Sequence, residues 1–318
     1  LEGAVDDADA LAASGITTGA DPMSAVVRDM GAAEYHAIKA LSAGMAITLD
    51  RECPLRAWLD SPFNPAQVRE NKRTFDIGTA AHLAVLEPAD LTQRVVVHDF
   101  DDYRTKEARD IRDSAWAAGR TPLKPAEWKL VEGVAHALNS RTAKGKLFTG
   151  GHAEVSLTWE WDGVPCKARP DYLPGSGAYL VDLKTANSAN PRAVARKAFD
   201  EAWHVRAAWY LAGAEAATGK RPEHYWFVVV EKEPPHIAEV YELDDRSLIW
   251  GERIIGRALR LFAECTASGR WPSYCGGKPT VIGLPGWAEF QLADREQAGE
   301  FDYPTLAETK QSLDWMKP

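Results

Sequence analysis

Cysteine is scarce in this chain, with only Cys53, Cys166, Cys265 and Cys275 among 318 residues. A structural zinc site needs closely paired thiolates or imidazoles, and the scatter of these four supplies none. No run of 18 apolar residues is present, so a membrane-crossing helix is not expected. Nothing has the layout of a signal peptide either. The expectation is a soluble cytoplasmic protein with no membrane partner and with reduced, partly buried thiols. An excess of positive charge is also missing. Lys and Arg number 37 against 46 Asp and Glu, a net charge of −9, which excludes a generally adhesive nucleic-acid binder. A local basic site survives that argument, because charge acts within a Debye length of about 8–10 Å. Internal repeats are absent as well. At 45% hydrophobic content the chain can form one large α/β domain or two smaller ones around a sizeable core.

What the chain does contain is concentrated between Glu154 and Lys184. From Ala153 to Trp161 apolar and polar residues alternate, with Val155, Leu157, Trp159 and Trp161 on one face. Glu154, Ser156, Thr158 and Glu160 fall on the other. That period of two predicts a half-buried strand. Asp162-Gly163 suits a two-residue hairpin turn, and a second strand is expected over Val164 to Leu173. Pro174-Gly175-Ser176-Gly177 forms the next turn cluster, before a third strand from Ala178 to Thr185. Folding about that turn brings Asp171 and Asp182 within about one register step on neighbouring strands. Asp182 and Lys184 share a face, while Val181 and Leu183 point to the core.

Two carboxylates and an ammonium at one edge of a meander suit metal-assisted hydrolysis of a phosphodiester. Their hard oxygens favour Mg²⁺ or Mn²⁺, which activate water and neutralise charge on the scissile phosphate. A lysine beside a metal ligand can stabilise developing negative charge. Asp-x-Lys alone is common on solvated strand faces. Pro170-Asp171 at hairpin spacing before it, and Glu154 on the preceding strand, single this one out.

Pro170-Asp171, ten residues, then Asp182-Leu183-Lys184 resembles the PD-(D/E)xK nuclease signature. Gly78-Thr79-Ala80-Ala81-His82 is similar to the Gly-Thr-x-x-His helix of RecB-like nucleases. Cys53-Pro54, Leu86-Glu87-Pro88, the Glu154 strand, Cys166 to Asp171 and Trp203 to Tyr210 together resemble the exonuclease VIII (RecE-type) branch of phage and prophage recombination exonucleases. The similarity runs from about Tyr35 to Trp287 in the family's order.

The resemblance implies an α/β, restriction-endonuclease-like core, with a mixed twisted sheet flanked by helices. It implies that His82, Asp171 and Asp182 bind metal, with the Leu183 carbonyl nearby. Glu154 would complete the site or hold its waters, and Lys184 would be the catalytic lysine. Where the family usually carries Gln-x-x-x-Tyr, this chain has Arg206 to Tyr210. Arginine can still grip a phosphate with two hydrogen bonds, but the role of the Gln amide stays open. The resemblance further implies Mg²⁺-dependent (or Mn²⁺-dependent) 5′-to-3′ digestion of linear double-stranded DNA ends, leaving 3′ single strands. A ring-shaped homo-tetramer, a RecT-type single-strand annealing protein as partner, and a phage or prophage origin belong to the same implication. Some RecB-like nucleases hold an iron–sulfur cluster on one early and three late cysteines. One early, one central and two late cysteines do not match that arrangement.

Basic residues flank the expected site. Arg56, Arg69, Lys72 and Arg73 precede the histidine helix, seven more from Arg104 through Lys106 to Lys129 follow it, and Arg192, Arg196 and Lys197 follow the catalytic strand. Such flanking makes a DNA track, for which Arg73, Lys106, Arg169, His204, Arg206 and Tyr210 are candidate contacts.

Along the chain, residues 1–33 read as a flexible acidic arm, 34–287 as the RecB/RecE-like nuclease domain and 288–318 as a C-terminal tail. Asp76 is expected to cap the histidine helix. Pro191 to Thr218 is expected as one amphipathic helix with Phe199, Trp203 and Tyr210 inward. Phe227-Val228-Val229-Val230 reads as a central strand. Asp244 or Asp245 caps a last helix with Leu248, Ile249, Ile255 and Phe262 inward. Residue chemistry alone supports only a divalent-metal phosphodiesterase. An endonuclease or a nuclease of other polarity on the same fold remains open, and so does a DNA-binding scaffold that has lost catalysis.

Overall fold

A computed structural model describes residues 16–18, 25–28, 30–67, 76–139, 141–302 and 305. Most of the expected N-terminal arm, Arg69, Lys72 and Arg73, and the end of the tail lie outside the described residues. The chain divides into two units, Leu1–Tyr274 and Cys275–Pro318. In the first, β1 (Ile16–Thr18) and β2 (Ala25–Val27) lead to α1 (Ala32–Ala37), β3 (Leu41–Ser42), α2 (Ala43–Arg51) and α3 (Pro54–Leu59). Then come α4 (Asp76–Leu86), α5 (Leu91–Arg94), β4 (Val95–Val97), α6 (Lys106–Ala117), β5 (Thr121–Leu123) and α7 (Pro125–Ala137). The site strands are β6 (Gly151–Ala153), β7 (Ser156–Trp161), β8 (Val164–Ala168), β9 (Tyr172–Pro174) and β10 (Tyr179–Ala186). After them run α8 (Pro191–Asp200), α9 (Trp203–Thr218), β11 (His224–Glu231), β12 (Ala238–Tyr241) and α10 (Asp245–Ser268).

The expected mixed α/β class holds, but the strands lie in two principal sheets. One has the order β1-β2-β7-β8-β3, the other β12-β11-β10-β9-β6, and β4 pairs with β5 alone. The meander expected from Ala153 to Thr185 is therefore divided between sheets. Its second strand leaves the first sheet after Ala168 and enters the other at Tyr172. Pro170 sits at the crossing, and without an N–H it cannot continue a ladder. The first strand is interrupted too. Glu154 has φ of +51° and lies between β6 and β7, so it belongs to neither strand.

The long helix expected from Pro191 to Thr218 is two. Ala202 adopts φ of +53° between α8 and α9, a left-handed conformation that ends helical pairing. The Arg51 guanidinium donates to the carbonyls of Phe199 and Asp200 at the end of α8, where the helix runs out of its own N–H partners. Phe199, expected inward, is 70% exposed. Ile249 likewise lies on the exposed side of α10. The Asp244 cap forms, its carboxylate accepting the Ser247 N–H. Asp76 is instead the first residue of α4, and its Oδ1 accepts from Trp116 Nε1 at 3.3 Å.

β11 supplies the centre of the core. Phe227 and Val229 join Trp203, Trp209 and Phe262 on one side, while Val228 and Val230 join Val181, Leu183 and Ala81 on the other. Both faces are thus covered, as a continuously apolar strand requires. Two glycines permit close packing of α9. A Cβ at Gly251 would meet the His204 carbonyl oxygen at 2.2 Å, and one at Gly213 the Trp159 ring at 2.6 Å. Cys53, Cys166 and Cys265 are buried free thiols, and burial pushes the Cys166 thiol up to about 12. Among the described residues no helix is long and apolar enough to cross a membrane. The second unit holds α11 (Gly286–Gln297), which buries none of its residues.

Candidate active site

The site begins with a register. Tyr172 on β9 stands opposite Val181 on antiparallel β10, which sets Asp171 across from Asp182, as the hairpin argument expects. Alternation does the rest. Val181 and Leu183 are fully buried, while Asp182 and Lys184 share the other face and form an ion pair. Asp171 is held from two directions. Its Oδ2 accepts the Leu183 N–H at 2.7 Å and lies 3.6 Å from His82 Nδ1 on α4.

Glu154 reaches the same place through its turn. Its N–H donates to the Asp171 carbonyl at 3.0 Å, and its Oε2 accepts from Arg169 Nε at 2.8 Å. Ligand atoms of His82, Glu154 and Asp171 all fall within 4.8 Å of one another, the only such trio among the described residues. Ligands on opposite sides of a magnesium ion stand about 4.2 Å apart, from bonds of about 2.1 Å. One imidazole and two carboxylates at this spacing fit a divalent ion after a small adjustment. Asp182, expected in that trio, is turned to Lys184. Glu154, expected to complete the site, stands beside His82 and Asp171, and Leu183 lines the adjoining cleft.

The electrostatics separate these groups. Burial raises the Glu154 pKa and Asp171 adds to it, against the pull of Arg169 and His82. Burial also raises Asp171, reinforced by Asp182 and opposed by His82 and Lys184. For Lys184 burial acts downward, but Asp182 and Asp171 outweigh it and hold the ammonium above its usual range. Two crowded carboxyls whose pKa values stay raised despite those cations are what a divalent ion neutralises.

A cleft of about 520 Å³ opens over them, lined by His82, Glu154, Arg169, Leu183 and Lys184 together with Arg94, Lys197 and Lys232. Of the expected DNA contacts, only Arg169 lines it, already engaged by Glu154 and lying 5.5 Å from the Tyr35 ring. Arg206 is half-buried on α9 and donates to the Tyr210 hydroxyl at 3.5 Å. Burial opposes its charge, but Tyr210 and Asp182 outweigh that and hold its pKa above the usual value. His204 stacks parallel to Phe199 beside Arg51 and does not line the cleft. Lys106 starts α6 and does not line the cleft. Arg73 is outside the described residues.

The sequence reading missed Arg94 and Lys232. Lys232 follows β11, and its N–H donates to the Ala186 carbonyl at the end of β10. The ends of parallel strands favour ligand sites, but the β10–β11 pairing that places this lysine was not legible beforehand. Lys167 was also passed over. Its buried Nζ donates to the carbonyls of Tyr35 and Ile38, fixing the end of α1 beneath the site.

Residues 51–281 match a family described as a PDDEXK-like domain of unknown function (DUF3799). That span contains every residue of the acidic trio and the Asp182–Lys184 pair. No curated protein matches the chain. Among solved structures it is similar to a protein of Eubacterium rectale provisionally described as an exonuclease. The two are 13% identical over 81% of this chain and 96% of the other, with a TM-score of 0.55. At that identity the likeness shows the fold alone. It is also similar to an alkaline exonuclease of Laribacter hongkongensis, 16% identical over 60% of this chain and 90% of that one. The TM-score there, 0.25, carries no argument.

Proposed function

The chain belongs to the family of PDDEXK-like domains of unknown function (DUF3799), and from that premise we propose a divalent-metal-dependent DNA nuclease that digests linear duplex from its ends. The supporting observation is the cleft where His82, Glu154 and Asp171 gather beside the Asp182–Lys184 pair. Those three residues would hold the ion, which when bound supplies an activated water and neutralises charge on the scissile phosphate. The chain's own groups prepare the rest. The Leu183 N–H fixes the Asp171 carboxylate and Arg169 fixes Glu154. Lys184, kept charged by Asp182, can donate to a phosphoryl oxygen as negative charge grows. Lys232 lines the cleft as a partner for the flanking phosphates, and Arg94 and Lys197 would turn to them from their ion pairs with Glu87 and Glu201.

The finer reading is Mg²⁺ (or Mn²⁺) as the ion and 5′-to-3′ exonucleolytic digestion, leaving 3′ overhangs for single-strand-annealing recombination. Its support is the order of RecE-type motifs from Cys53 to Tyr210, together with the Eubacterium neighbour's description as an exonuclease. The RecT-type partner, the homo-tetramer, and a phage or prophage origin with action in the bacterial cytoplasm rest on that motif resemblance alone.

The test uses end-labelled linear duplex in Mg²⁺. Wild type should digest it, while Asp182→Ala and Lys184→Ala bind it and leave it intact. Digestion that continues in both variants would place the chemistry elsewhere. Separate 5′ and 3′ labels read the polarity, and cleavage of closed circular duplex would replace the exonuclease with an endonuclease.

A further inference from the structure

Helix α8 follows the catalytic strand, and core packing accounts for only one of its sides. Val194 and Ala198 are buried. On the opposite side Arg192, Arg196 and Phe199 recur at i, i+4 and i+7, within about 60° of one another around a helix of 3.6 residues per turn. All three are exposed. No ion pair engages either arginine among the described residues. A groove of about 770 Å³ along this helix is lined by Asn190, Arg192, Arg196 and Lys197, and it shares Lys197 and Glu201 with the catalytic cleft.

Phe199 is exposed but firmly held. The Arg51 guanidinium lies 5.9 Å from its ring centroid and donates to its carbonyl. The His204 ring lies parallel to it, 6.3 Å away and within 5°. A fixed aromatic face in water, beside three guanidiniums and continuous with a phosphodiester site, complements an unpaired base on an anionic backbone. Duplex DNA does not offer that complement, since its base faces are already stacked.

We propose that this face of α8 is a single-strand DNA track, where Phe199 stacks an unpaired base and Arg192 and Arg196 hold neighbouring phosphates on the strand leading to the cleft. The proposal rests on the nuclease reading above.

Fluorescence anisotropy on the full chain in EDTA tests it, with a labelled single-stranded 20-mer and a blunt duplex of the same sequence. Phe199→Ala should weaken single-strand binding about fivefold or more, leave duplex binding nearly unchanged, and be rescued by Phe199→Trp. Arg192→Ala and Arg196→Ala should each reduce the slope of log affinity against log salt by about 0.7 for the single strand. Equal single-strand affinity of Phe199→Ala and wild type, or equal loss on both DNA forms, overturns the track. Digestion of linear duplex by wild type in Mg²⁺ separates the two claims. If it proceeds while Phe199→Ala binds normally, the track alone falls; if wild type neither binds nor cuts any DNA, the nuclease reading falls and takes the track with it.

Discussion

Two charged groups meet in the cleft, and they are balanced differently. Asp182 and Lys184 carry opposite charges in contact, with the carboxylate 2% and the ammonium 20% exposed. In the neighbouring trio, Glu154 and Asp171 crowd together, and burial and mutual repulsion raise both their pKa values. The pair is internally neutral, so the attraction between its members offsets part of the cost of burying two charges. The trio keeps both carboxyl pKa values raised despite Arg169, His82 and Lys184 nearby, and it is held in place by the Leu183 N–H and by Arg169. A fold that maintains such a cluster spends stability on it, which is the usual trade at a functional site.

The largest expected effect comes from breaking the balanced pair. Lys184→Ala should lower nuclease activity by about 10²–10³-fold, the loss typical of removing one donor to a developing charge. It should also cost about 3 kcal/mol of stability, because Asp182 is left buried without its cation. Chemical denaturation and end-label assays read the two losses separately. Unchanged stability would show that the pair is not the structural unit described.

Neutralising one member of the trio should act the opposite way on stability. Asp171→Asn keeps an oxygen for the Leu183 N–H, so the metal-free protein should gain about 0.5–2 kcal/mol while activity is lost. A less stable variant would mean that Asp171 is not under electrostatic strain.

The sign of the pH dependence follows from the raised carboxyls. Their contribution to stability is fully present below the ordinary carboxylate range and is lost as pH rises through the folded-state pKa values. Melting of the metal-free protein should therefore show this component declining above the ordinary carboxylate range. Mg²⁺ should offset the decline by binding the folded form, and Asp171→Asn should flatten it. A melting temperature unaffected by Mg²⁺ at neutral pH would argue against an ion in the trio.

The smallest effect is expected far from both groups. Removing residues 293–318 should leave nuclease activity within about twofold and the melting temperature nearly unchanged, since α11 buries no residue and surface changes of this kind usually cost little. A large loss of activity would show that the second unit contributes to the site.

Much of the site was legible because its signals are local. Asp182-Leu183-Lys184 alternates with period two, and the turn at Pro174 to Gly177 fixes its register against Asp171, so two carboxylates and a lysine could be placed from spacing alone. His82 was not legible in that way. Its helix shows no periodicity that marks a ligand, and only the Gly-Thr-x-x-His resemblance pointed to it. Glu154 was identified on a strand and found in a left-handed turn, because alternation cannot report a single residue that breaks the ladder. Phe199 shows the same limit: helical spacing suited it to a core stripe until Ala202 ended the helix.

From its own order of residues the chain determined the α/β class, the buried central strand, the Asp171–Asp182 opposition and the face shared by Asp182 and Lys184. These depend on neighbours within about one hairpin, where backbone geometry leaves few choices. Only the tertiary structure decided that the strands divide between two sheets, that Glu154 joins His82 and Asp171 while Asp182 turns to Lys184, and that Arg94 and Lys232 enter the cleft. Each of those outcomes depends on pairing or packing between residues distant in the chain, and such contacts leave no period in the sequence to read.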